Sequence, residues 1–157
     1  MQIRTGDTFD PRVVALLDHH VTAARAQTAP GSAHALDLAG LRAGDVAFWT
    51  GWDGETLVAT GALKALSVDH GEVKSMHTLR TARRRGFGGQ MLRHIIAEAR
   101  RRDIKRLSLE TGSWDYFKPA HALYHAHGFV PCAPFQGYVE DRNSRFLTLD
   151  LTGPATR

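Results

Sequence analysis

Arg83-Arg84-Arg85-Gly86-Phe87-Gly88-Gly89 is the stretch that decides how this chain reads. It follows a strand-like segment, Glu72 to Leu79, and leads into a segment of helical periodicity. Its glycines let the backbone turn tightly and let a ligand approach the main chain. The first N–H groups of the helix have no internal partners and carry the positive end of its dipole. Strand, glycine turn and helix start together predict a main-chain cradle for an anion such as a pyrophosphate. Other phosphate loops do not fit. No G-x-x-x-x-G-K-[ST] string is present, and a G-x-G-x-x-G fingerprint counted from Gly86 meets Met91 at its last place. A plain helix start is the bland alternative, and the surrounding elements weigh against it.

Beyond the turn, Met91, Leu92, Ile95, Ile96 and Ala99 keep helical spacing to about Arg102. Arg106 to Glu110 alternates as a strand, and a helix from about Pro119 to His127 stops at Gly128. Phe129-Val130 starts another strand, and Phe146 to Leu149 can close the sheet. Before the turn, Val46–Trp52 and Thr56–Leu66 flank an Asp53-Gly54 hairpin, and Asp69-His70-Gly71 leads into the next strand. Residues 2–5 predict a short strand, and Asp10-Pro11 predicts the start of a helix to about Arg25. A short helix is expected over His34 to Leu41. The order β-α-α-β-β-β-α-β-α-β-β suits a mixed α/β sheet with helices on both faces.

At 157 residues, a single domain over 1–157 is expected. With 43% hydrophobic and 23% charged residues, the composition is that of a soluble globular protein. No apolar run approaches the ~18 residues of a membrane span, and Met1 to Thr5 lacks the apolar stretch of a signal peptide. Cys132 is the only cysteine, so no internal disulfide forms and a cytoplasmic location is expected. A net charge of +4 raises nucleic acid as a partner. However, the cluster Arg80, Arg83, Arg84 and Arg85 suits a coenzyme phosphate equally well, and Arg100 to Arg106 complements a helix C-terminus. The aromatics and reading motifs of a nucleic-acid binder are missing. No nucleic-acid or membrane partner is expected.

Arg83, Gly86 and Gly88 match R-x-x-G-x-G, and with the element order and Tyr124 downstream the chain resembles the GCN5-related N-acetyltransferase (GNAT) superfamily from Ile3 to Leu151. Leu109-Glu110-Thr111-Gly112 and Leu123 to Phe129 are similar to a group of small bacterial acetyltransferases. The resemblance implies a GNAT fold, with a central, mostly antiparallel, twisted sheet of six or seven strands and about four helices. It implies transfer of an acetyl group from acetyl-CoA to the amine of a small molecule, amino acid or peptide, through a tetrahedral intermediate. Main-chain N–H groups of Arg84, Arg85, Gly86, Phe87, Gly88 and Gly89 would bind the CoA pyrophosphate. Met76, His77 and Thr78 would present a strand edge to the pantetheine arm, with Glu110 and Thr111 lining the acyl pocket. Homodimers are common in the family.

Alkyl amines titrate near ~10.4 and need a base at neutral pH. The resemblance makes Glu72, eleven residues before Arg83, the candidate base; its bland alternative is a solvated glutamate beside Gly71. Tyr124, in Ala120-x-x-Leu123-Tyr124, is the candidate acid facing the CoA sulfur. Many members carry asparagine seven residues before this tyrosine, where Phe117 stands here. A backbone N–H near Met76 or His77 would meet the oxyanion. His34, Trp49, Trp114 and Tyr138, with Glu140-Asp141, are candidates for contacting the acceptor. His121, His125 and His127 lack the accompanying pattern of a zinc site, so a solvated face and no metal are expected. A non-catalytic acyl-CoA sensor is the alternative function.

Overall fold

The computed structural model describes residues 1–154. In chain order the elements are β1 Gln2–Thr5, α1 Pro11–Ala26, α2 Leu38–Leu41, β2 Val46–Asp53, β3 Thr56–Ala65, β4 His70–Thr78, α3 Phe87–Arg101, β5 Arg106–Gly112, α4 Lys118–Ala126, β6 Val130–Pro131 and β7 Ser144–Asp150. The strands form one seven-stranded sheet in the order β1-β2-β3-β4-β5-β7-β6. Neighbours are antiparallel except β4 and β5, which run parallel because α3 carries the chain back between them. This is the mixed α/β architecture expected of the sequence.

Helix periodicity fixes which face each helix covers. In α1, Asp10 caps the start by accepting from the Arg12 N–H at 2.9 Å. Val13, Leu16 and Leu17 then pack with Phe48, Trp52, Leu57 and Ala62 on one face of the sheet. On the other face, Met91, Leu92, Ile95 and Ala99 of α3 meet Val58, Leu63, Val73, Leu107 and Leu109, with Tyr124 of α4 in the same core. The short second helix runs only over Leu38–Leu41, because Asp37 caps it there by accepting from the Gly40 N–H. Residues 34–37, expected to be helical, therefore form no helix.

The feature that positions the site is an irregularity in β4. Thr60 pairs with His77 and Ala62 with Lys74, so Gly61 alone opposes both Ser75 and Met76. Such a bulge bends its strand. Ser75 takes a left-handed φ of 55°, and Thr60 Oγ1 donates to its carbonyl at 2.8 Å. Only His70–Glu72 of β4 pairs with Arg106–Ser108 of β5, although both strands continue. Past that point they part.

Candidate active site

The glycine turn forms as its sequence demands. Gly86, at φ 80°, is the left-handed residue that swings the chain into α3. The first bond back to that residue is Gln90 N–H to Gly86 O at 3.1 Å. Phe87, Gly88 and Gly89 therefore have N–H groups without helical partners. A side chain at Gly88 would stand 3.3 Å from Thr78 Oγ1, so bare backbone suits this narrow place between β4 and α4. Arg85 pairs with Asp53 at 2.8 Å and lies over the Phe87 ring, while Arg83 donates to Thr78 O at 3.4 Å. Free amides, a helix N-terminus and surrounding arginines fit a coenzyme diphosphate.

Where β4 and β5 part lies a cavity of about 120 Å³. Its walls are His20 and Ala24 of α1, the chain from Ser32 to Ala35, Lys74 to Met76 of β4, Glu110 to Gly112 of β5, and Phe117, Ala120 and Tyr124 at α4. Strand alternation sorts these groups. Val73 and Leu109 enter the core beneath α3, so Glu72, Lys74 and Glu110 face the opposite side. Tyr124 reaches the cavity from the α3 side. Burial raises the Glu110 carboxyl to about 7, against the lowering pull of the Lys74 charge. Burial, helped by the Glu110 charge, also pushes the Tyr124 phenol well above its ordinary value.

Glu72 is not solvated. It is 3% exposed, its Oε1 accepting from Lys74 Nζ at 2.8 Å and from the Tyr138 hydroxyl at 2.7 Å. It lies on the paired part of β4, outside the cavity wall. Tyr138 supports that network, and its ring meets His34 edge-on at 5.0 Å. His34, Met76, Glu110, Thr111 and Tyr124 all line the cavity. Trp49 does not. It is buried beneath α3, edge-on to His94, so the strand alternation turns it away from the cavity. Trp114 also stands apart, 42% exposed and donating to Asn143 at 3.1 Å. His77 pairs with His20, Nδ1 to Nδ1 at 3.1 Å. Burial lowers His77 to about 3 and His20 to about 4, so both are neutral at pH 7 and one donates to the other. Of the three histidines of α4 and its end, His125 is exposed and His121 and His127 are half-buried. His121, His125 and His127 lie against the carbonyls of Gly112, Phe129 and Leu123 at 2.7, 3.1 and 2.8 Å.

Lys74, like His20 and Ser32, lines the cavity without having been singled out in the sequence; its ion pair with the buried Glu72 marks it out.

The acetyltransferase (GNAT) family model matches residues 14–129. The uncharacterised N-acetyltransferase YedL of Escherichia coli is 47% identical, with 95% of this chain and 94% of YedL covered. The uncharacterised N-acetyltransferase YsnE of Bacillus subtilis is 45% identical, over 96% of this chain and all of YsnE. Among solved structures, a Klebsiella pneumoniae protein with a proposed acyl-CoA N-acyltransferase activity superimposes with a TM-score of 0.80 at 26% identity, covering 96% of this chain and 97% of that one. With the opened strands and the glycine turn in place, the chain belongs to the GNAT family of acetyltransferases and is an acyl-CoA-dependent enzyme.

Proposed function

We propose that residues 1–157 act as one catalytic domain that moves an acetyl group from acetyl-CoA to the amine of a small molecule by direct attack. One observation carries the reading: Glu110 and Tyr124 reach the same cavity from opposite sides of the opened sheet. Acetyl-CoA supplies the activated acyl group as a thioester. The N–H groups of Arg84 to Gly89 bind its diphosphate, and the edge of Met76 to Thr78 receives the pantetheine arm. A main-chain N–H at Met76 or His77 stabilises the oxyanion.

Glu110 is the better base. A carboxyl near 7 is half ionised at neutral pH and still basic enough to take a proton from an ammonium. Glu72 already spends one oxygen on Lys74 and Tyr138, so it serves as their anchor. As the amine nitrogen bonds to the carbonyl carbon, its proton passes to Glu110. The C–S bond then breaks, and the thiolate receives a proton or hydrogen bond from Tyr124.

A phenol raised by burial is a weak acid beside a thiol near ~8.5, so its contribution is modest. Tyr124→Phe is expected to lower kcat about 10-fold with KM for acetyl-CoA nearly unchanged. Steady-state kinetics checks this, and an unchanged kcat removes Tyr124 as the proton donor. The function itself is tested by a panel of amines with acetyl-CoA, read by release of free thiol. Acceptor-dependent release supports it, whereas CoA binding without release identifies a sensor.

A further inference from the structure

We propose that the acceptor carries a free carboxylate beside its amine, as an α-amino acid does, and that Lys74 recognises it. The inference rests on the acetyltransferase reading above. Lys74 stands just before the bulge of β4, and alternation sends it to the acceptor side of the sheet. Its side chain is 10% exposed, a rare setting for lysine. A buried ammonium needs close partners. Glu72 Oε1 lies 2.8 Å from Nζ and the Tyr138 oxygen 3.0 Å, and the Tyr138 hydroxyl donates to the same Glu72 oxygen. This triangle fixes the position of Nζ.

An ammonium has three donors. Two are used, and the third has no acceptor among the described residues, while Lys74 lines the cavity. A spare donor on an immobilised cation is suited to an anionic group on the ligand. Glu110, on the neighbouring wall, lies within electrostatic reach of Lys74. The cavity thus offers a cation and a carboxylate, the complement of a zwitterion. A plain alkylamine leaves the Lys74 donor unmatched, and a polyamine places like charge beside it. An α-amine at the start of a peptide has no carboxylate next to it. The small volume of about 120 Å³ also favours a compact acceptor.

The test uses matched acceptors: free amino acids, their carboxamides and the corresponding decarboxylated amines, each with acetyl-CoA. The wild-type protein is expected to favour the carboxylate in kcat/KM by about 10-fold or more. In Lys74→Met that preference is expected to shrink to about 3-fold or less, through KM for the amino acid. Because Lys74→Met leaves Glu72 buried without its cation, Lys74→Met with Glu72→Gln is measured beside it after a thermal melt confirms folding. Equal use of carboxamides or amines by the wild type overturns the proposal, as does a preference that survives in both variants. Binding of N-acetyl amino acids and N-acetyl amines to the CoA-loaded protein, by calorimetry, reads the same discrimination without turnover. Equal affinities also overturn it. Absence of any acetyl transfer defeats the acetyltransferase reading, while product binding still decides the carboxylate.

Discussion

Glu110→Gln is expected to lower kcat/KM for amine acetylation by about 10²–10⁴-fold, the usual range for loss of a general base. KM for acetyl-CoA should change little, because the glycine turn proposed to bind the coenzyme diphosphate lies outside the cavity that Glu110 lines. The pH profile separates this loss from a packing defect. With Glu110 near 7, wild-type kcat/KM should fall as pH drops below about 7, where the carboxyl holds its proton. That limb should vanish in the variant, leaving only the acceptor's own ionisation near ~10. A surviving limb near 7 would give the base to another group.

The same substitution carries an opposite effect on stability. Burial raises the folded Glu110 above its ordinary 4.5, so the unfolded chain releases this proton first as pH rises. The neutral acid therefore supports the fold fully below that ordinary value, and the support is lost as pH climbs through about 7. Gln is neutral at every pH and escapes the penalty. Above pH 7.5 Glu110→Gln is expected to be more stable than wild type, by on the order of 1–3 kcal/mol. At pH 4 and below the two should melt together. Loss of activity with gain of stability is the pattern of a carboxylate kept in an unfavourable place for its chemistry.

Most of the fold was legible because its signals are local. Asp53-Gly54 announces a tight hairpin, although Asp53 pairs with Thr56 and the two turn residues are Gly54 and Glu55; Asp10-Pro11 specifies a helix start and Met91 to Ala99 a helix face. Arg83 to Gly89 places the turn for the same reason. What stayed hidden depends on contacts distant in sequence. The bulge falls on Ser75, which carries none of glycine's freedom, and its carbonyl is held by Thr60 from the neighbouring strand. Glu110 is expected at the acyl pocket by resemblance, but the burial that raises its carboxyl is not announced by its strand neighbours. The aromatic Trp49 invited an acceptor role, yet β2 turns its ring toward α3. Lys74 and Glu72 are two residues apart, but their meaning comes from Tyr138, sixty-six residues beyond Glu72.

Phe117 stands where the family resemblance implies asparagine, and Gly112 leaves room for its ring. A Cβ placed on Gly112 would fall well inside contact distance of the Phe117 ring, so the ring packs against bare backbone. His121 Nε2 lies 2.7 Å from the Gly112 carbonyl, tying the end of β5 to α4. Gly112→Ala must therefore drive the ring out and shift the start of the helix that carries Tyr124. The expected cost is about 1–3 kcal/mol of stability, the range for overpacking, with a fall in Tm of about 2–4 °C per kcal/mol. Activity should fall with it, because Tyr124 moves with α4. Removing the obstruction offers the check. In Gly112→Ala with Phe117→Ala, the methyl group occupies space the ring has left, so the double variant should recover about 1 kcal/mol relative to the sum of the single changes. Thermal and denaturant unfolding of the four proteins measures this coupling. Simple additivity would mean that ring and glycine do not share the space, and the pairing of Phe117 with Gly112 would have to be abandoned.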